Sequence, residues 1–202
     1  LRNIFRNRRR SLYTVIGVAL GASLILISAG FIDTIDDVMD LQFKRIQKYD
    51  IMITFAEPQS EAVVGDVAAW QYVERVEPAV QIPVSLSYED KTYSTLIIGL
   101  RPDTELYGLF SPGGDRVTVA SGGILVSESI RRVLGVEVGD IIGIGSPAGT
   151  LSAPVAGFVK QGVGSPVYVS LNDIQALAGG QPVVNGLMLT AEPGNLDAVR
   201  DS

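Results

Sequence analysis

The stretch that most constrains this chain is Leu12 to Ile32, LYTVIGVALGASLILISAGFI, a run of twenty-one residues without a charge. At ~1.5 Å of rise per residue a helix of that length reaches about 31 Å, against a hydrocarbon core of roughly 30 Å. It is long and apolar enough to cross a bilayer. Its hydroxyl residues Thr14, Ser23 and Ser28 are small and can bond back to the preceding helical turn. Two other readings compete. A signal peptide also joins a basic start to an apolar middle, and Ser28, Ala29 and Gly30 resemble a cleavage site, but the apolar region of such peptides is only about 7 to 15 residues. A buried helix of a soluble protein would carry a polar face, and this run has none.

The flanks orient the span. Arg2, Arg6, Arg8, Arg9 and Arg10 lie in the basic lead, residues 1–11, and Asp33, Asp36, Asp37 and Asp40 follow the span. Moving a short arginine-rich flank across a membrane is disfavoured and acidic residues matter little, so the N-terminus is expected on the cytoplasmic side of a cell membrane and residues after about 33 outside. The net charge of −6 includes that basic cluster, so the exported part is more acidic than the total. An acidic exported surface argues against a nucleic-acid partner, and the basic lead reads as a topology signal in contact with anionic lipid. Gly17, Gly21 and Ala22 supply small residues of the kind that let another membrane helix approach closely.

Beyond the span, Ile35, Val38, Met39, Gln42, Phe43 and Ile46 follow helical spacing opposite a charged face, so residues 33–49 read as an amphipathic stalk continuing the membrane helix to about Tyr49. DIMITF then predicts a strand stopped by Pro58, and a short helix is expected from a Ser60 cap, with Val63, Val67 and Trp70 on its apolar side. Val76 to Ser87 and Thr92 to Leu100 make a hairpin around Glu89, Asp90 and Lys91, with Pro83 marking an edge or bulge. Residues 101–115 read as a loop. GILVS, SESIRRVL and Gly135 give a strand, a helix capped by Ser127 and a left-handed stop. A second hairpin covers IIGIG and LSAPVAGFV. VYVSL leads to a short helix from Asn172 and Asp173 to Gly179 and Gly180, a last strand runs from Asn185 to Ala191, and NLDAVRDS opens another helix. Strands and helices do not alternate strictly, which is an α+β pattern.

Chemistry is limited by what is missing. The chain contains no cysteine and no histidine, which removes thiol chemistry, disulfides, serine–histidine triads and histidine metal sites. The Asp33, Asp36, Asp37 and Asp40 group lacks the alternating ligands, central glycine and distal glutamate of a calcium loop. The glycine-rich SPGGD, SGG and GIGSPAG stretches lack the Lys-Ser/Thr of a phosphate loop and read as turns. A serine nucleophile with a lysine base is the remaining catalytic option, and Lys44, Lys48, Lys91 and Lys160 sit in no nucleophile motif. No residue is assigned to catalysis, to a cofactor or to a metal. The single Trp70 reads as a core anchor.

The order of these features resembles a known family. LRNIFRNRRRSLYTVIGVALGASLILISAG is similar to the first transmembrane segment of FtsX-like, or MacB-type, ABC transporter permeases. VERVEPAVQIPV, IIGLRPD, GILVSESIRRVLGVEVGDIIGI, VAGFVKQG and PVYVSLNDIQAL follow in the order of the MacB-like periplasmic core domain of those permeases. The resemblance implies a ferredoxin-like porter part within residues 50–202 and an inserted small β-rich part at 115–170, with NLDAVRDS opening a porter helix. It also implies a permease that pairs as a homodimer or heterodimer, binds no ATP itself and engages a cytoplasmic ABC ATPase, whose hydrolysis moves the stalk by mechanotransmission. Because the chain opens at Leu1 and closes on Ser202, it is expected to be part of a longer protein with further spans. The competing readings are a single-pass anchored binding or adaptor protein and an anchored serine–lysine hydrolase. The substrate is not legible.

Overall fold

The computed structural model of the protein describes residues 8–146, 149–161, 163–177 and 181–200. The chain divides into two compact units, Leu1–Asp40 and Leu41–Ser202. In the first, Arg8–Asp40 form one uninterrupted helix, α1. Its apolar part, Leu12–Ile32, has a mean hydropathy of 2.4 and no residue buried. A fully exposed surface of that kind is stable in hydrocarbon, where a helix also satisfies its own backbone.

The second unit begins with a π-helical turn, Leu41–Ile46. The helix expected to reach about Tyr49 stops at Ile46, because the next backbone groups are taken by another segment: Gln47 pairs with Tyr107, and the Lys48 N–H donates to the Leu106 carbonyl at 3.0 Å. Strand β1 (Ile51–Ser60) runs through Pro58, where a stop was expected. It lies at the edge of the sheet and its register against its neighbour shifts between Thr54 and Gln59, so the missing proline N–H breaks no ladder bond there. Helix α2 (Val63–Ala68) follows, with Ala62 at its cap and the Ser60 hydroxyl accepting the Ala62 N–H.

Strand β2 (Val73–Tyr88) organises the rest. Its first half pairs with β10 (Val183–Ala191), and its second half forms a hairpin with β3 (Lys91–Leu100). Its far end also pairs with β7 (Ile141–Ser146), through Ser85, Leu86 and Ser87. Pro83 falls between the β10 and β7 pairings, on the side of β2 left open, while its partner on β3 is Leu96. The 101–115 segment, expected as loop, contains β4 (Leu109–Phe110), which pairs with β5 (Arg116–Val117) around the Pro112–Gly114 turn. Then come β6 (Ile124–Ser127), α3 (Glu128–Leu134), β8 (Gly149–Val159) after β7, β9 (Val167–Ser170), α4 (Leu171–Leu177) and, after β10, α5 (Leu196–Arg200). Gly179 and Gly180, the expected end of α4, lie outside the described residues.

The pairings β2–β3–β9–β6–β8–β7–β2 return to their start, so six strands close into a small barrel in which β3–β9 and β6–β8 are parallel. Residues 115–170 supply four of those strands, and β2 and β3 complete the ring. Alternation places Val84, Leu86, Ile97, Val126, Ile144 and Val169 in one buried cluster, with Ile98, Leu125 and Tyr168 in another. Outside the barrel, β1, β10 and β2 form an antiparallel sheet. Val67 of α2 and Val199 of α5 join Leu187 and Leu189 on one side of it, while Met188 and Ala79 on the other join Ile46. The mixed α+β architecture is as read from the sequence.

Candidate functional site: the clamp on the helical root

Ile46 ends the π-helical turn with no exposed surface, packed with Leu100, Leu106, Leu109 and Met188. Leu41 and Tyr49 pack against the same cluster, so the π-helical turn, hereafter the root, is embedded in the second core of its own unit. Backbone bonds fix it in register: the Gly108 N–H donates to the Ile46 carbonyl at 2.8 Å, and Gln47 to the Gln42 carbonyl at 2.8 Å, the i+5 spacing of a π turn. Gly108 passes so close to the root that a Cβ there would lie 2.2 Å from the Arg45 carbonyl oxygen. The Arg45 guanidinium sits 4.4 Å from the Phe110 ring centre, adding a cation–π contact on the outer side.

Polar side chains hold this clamp from behind. Glu77, buried on β2, accepts hydrogen bonds from the Thr104 hydroxyl, from the Glu105 N–H at 2.9 Å and from the Leu106 N–H at 3.3 Å. Thr104 in turn accepts the Tyr107 N–H at 3.2 Å. A single carboxylate therefore anchors the segment that grips the root. Gln42, also buried, accepts the Val163 N–H at 3.1 Å.

Behind the root runs a row of phenols. Tyr49 and Tyr107 stack with ring centres 6.5 Å apart, Tyr107 and Tyr168 tilt at 5.6 Å, and the Tyr107 and Tyr168 hydroxyls meet at 3.0 Å. The Gln161 amide donates to the Tyr168 hydroxyl. Burial pushes the Tyr107 hydroxyl up to about 12, holds the Tyr168 hydroxyl well above the usual phenol range, and raises Tyr49 too. The phenols stay neutral at any physiological pH.

The residues singled out in the sequence lie elsewhere. Arg2 and Arg6 are outside the described residues, and Arg8, Arg9 and Arg10 open α1. Gly17, Gly21 and Ala22 lie on the exposed apolar part of α1, and an added Cβ at either glycine meets nothing within 4 Å. Ser127 adopts the extended backbone of a cap, but its hydroxyl donates to the Pro166 carbonyl and accepts no N–H from α3, while Gly135 takes the expected left-handed stop at φ 79°. Lys91 donates to the Leu134 carbonyl at 3.0 Å, so it serves the end of α3. Trp70 packs against the main core, as expected of an anchor. No group of three or more metal-ligating carboxylates occurs among the described residues. Sequence reading missed Gly108, Tyr107 and Tyr168, whose signals were a glycine in a loop and two tyrosines indistinguishable from core residues.

Comparison with known proteins bears on this arrangement. The family model for the MacB-like periplasmic core domain matches residues 11–202. The extracellular domain of the ABC-type transporter YknZ from Gram-positive bacteria superposes with a TM-score of 0.54 at 13% identity, covering 73% of this chain and 86% of that one. The periplasmic region of MacB from Actinobacillus actinomycetemcomitans superposes with a TM-score of 0.53 at 12% identity, covering 74% of this chain and 77% of that one. At such identities the likeness is one of fold. No curated protein sequence matches the chain.

Proposed function

This chain belongs to the family of MacB-like periplasmic core domains, and from that premise we propose that it is the mechanical relay of an ABC transporter permease. In this reading a separate cytoplasmic ATPase binds and hydrolyses ATP, the first membrane helix moves, and the root at Leu41–Ile46 passes that displacement to the outer domain. The observation that carries it is the grip on Ile46: a fully buried side chain, the 2.8 Å bond from Gly108 and the close passage of Gly108 against Arg45 leave the root no slack. A passive anchor needs only a flexible tether, whereas a root interlocked with a core moves that core when it moves.

The rest of the assignment follows the same premise. The N-terminus is cytoplasmic, set by Arg2, Arg6, Arg8, Arg9 and Arg10, and residues after about 33 are extracytoplasmic. Permease copies pair through membrane helices whose close approach uses Gly17, Gly21 and Ala22. The domain needs no cofactor of its own. Its porter part is ferredoxin-like: the order β1–β10–β2, with α2 and α5 sharing one face, supports that architecture.

The test is a Gly-Pro insertion at Val38, upstream of the root, in the permease assembled with its ATPase. ATP turnover and folding are expected to persist, while the ATP-dependent change in amide exchange at Lys48 and Gly108 disappears. An exchange response that survives the insertion would rule out the relay.

A further inference from the structure

Beside the root, on the sheet side, lies a groove of about 490 Å³, within the range of roughly 300–1,000 Å³ typical of small-molecule sites. Fifteen residues line it and none carries a charge. In a chain with 19% charged residues, about three would be expected among fifteen. A second cleft, about 510 Å³, has Glu128, Arg132 and Lys160 in its lining, so a cleft of this size in the domain is not uncharged as a rule.

The lining divides into two kinds. The hydroxyls of Tyr49, Tyr93 and Ser94 and the amides of Gln47 and Gln81 line it, and none of these side-chain groups is hydrogen-bonded to another described residue. Such groups both donate and accept, and they match hydroxyls without charge. The apolar part is Met52, Ile98, Leu96 and Val163, of which Leu96 is 44% exposed and Val163 59% exposed. Two bonds brace the wall: Thr95 Oγ1 donates to the Ser165 carbonyl at 2.6 Å, and the Val163 N–H to Gln42 Oε1 at 3.1 Å. The second of these ties the groove to the root itself.

We propose that this groove binds an uncharged amphipathic small molecule, one that lays an apolar face on Leu96 and Val163 and presents hydroxyls to the uncommitted tyrosines and glutamines. An ionic ligand would lose its hydration without meeting a counter-charge, whereas a neutral one exchanges water for matched partners and buries apolar area. Because Gln42, Gln47 and Tyr49 belong both to the root region and to the groove, occupancy biases the root's position. That consequence rests on the relay reading; the binding does not.

The experiment uses the full chain in lipid nanodiscs and three probes: 4-nitrophenyl β-maltoside, which is neutral with an apolar ring and hydroxyls, 4-nitrophenyl phosphate, which keeps the ring and adds charge, and maltose, which lacks the ring. Saturation-transfer NMR and calorimetry are expected to show saturable binding of the maltoside, with the phosphate and maltose at least tenfold weaker. Leu96→Glu, on an exposed side chain, should weaken the maltoside at least tenfold, and Val163→Glu serves if that variant loses its native circular dichroism. Val138→Glu, exposed and outside the groove, should leave binding unchanged. No maltoside binding, equal binding of the phosphate, or full binding by both groove variants would overturn the site. Binding that behaves as expected beside a Gly-Pro insertion that leaves the exchange response intact would keep the site and remove the relay.

Discussion

The hydroxyls of Tyr107 and Tyr168, 61 positions apart in sequence, meet at 3.0 Å inside the outer domain, joining the segment that grips the helical root to a barrel strand. Neither is exposed enough for water to replace the other, and the Gln161 amide completes the row. Tyr168→Phe therefore leaves the Tyr107 hydroxyl and the Gln161 amide short of a partner, with an expected loss of about 1–3 kcal/mol in urea unfolding. Adding Tyr107→Phe removes one of the orphaned groups, so the double variant should lose less than the sum of the two single losses. A strictly additive cycle would show that the two phenols do not interact.

The same pair predicts alkaline sensitivity. Folding raises the Tyr107 hydroxyl to about 12 from an unfolded value near 10, chiefly by burial, and Tyr168 moves the same way. A raised folded value means that the neutral form is favoured by folding. Stability is then full below about pH 10 and declines as pH rises from about 10 through about 12. The urea midpoint of the native protein should fall across that window, and that of the Tyr107→Phe, Tyr168→Phe protein should fall less. Equal slopes for the two proteins would place the alkaline transition elsewhere.

Glu77 offers a prediction that distinguishes shape from hydrogen bonding. In Glu77→Gln the retained oxygen still accepts the Glu105 and Leu106 N–H groups, and the new amide can donate to the Thr104 hydroxyl that formerly donated to Glu77. Glu77→Ala strands all three donors in a buried place. The expected cost is about 1 kcal/mol for Gln and about 3 kcal/mol or more for Ala, read from chemical denaturation, with amide exchange at residues 104–108 rising most in the alanine variant. Matching losses for the two would mean that the carboxylate is not what holds this segment.

Much of this fold was legible because alternation and turn chemistry are local. Gly135, the Glu89–Asp90 turn and the strands at Val167 and Ile141 follow from spacing within a few residues. The closure of the barrel was not legible, because it depends on one strand, β2, changing partners halfway along, and no window of sequence records where a long strand exchanges one neighbour for the next. Pro83 marks an edge or a bulge from sequence, and of the two it is the edge: β2 is open there on one side and its register against β3 is unbroken. Pro58 was read as a stop, whereas an edge strand with a shifted register tolerates it. The clamp was hidden for a related reason: Ile46, Gly108 and Tyr168 come from three distant segments, and each is unremarkable among its neighbours in the chain.

Gly108 gives the most direct test of how tightly the root is held. A Cβ at this position would stand 2.2 Å from the Arg45 carbonyl oxygen and 2.9 Å from Phe110 Cε2. The first of these is backbone and cannot swing aside, so Gly108→Ala must push the root and the 104–110 segment apart and lengthen the Gly108 to Ile46 bond. Overpacking of this kind costs about 1–3 kcal/mol. The local signature is faster amide exchange at Lys48 and Gly108 before global unfolding. Gly113→Ala is the matched control, since its Cβ would meet only Ser111 Oγ at 3.5 Å and Asp115 Oδ2 at 3.8 Å, and its stability should stay within about 0.5 kcal/mol of the native protein. If the two variants were equally stable and exchanged alike, the backbone around Ile46 would have slack, and the proposed relay would lose the observation that carries it.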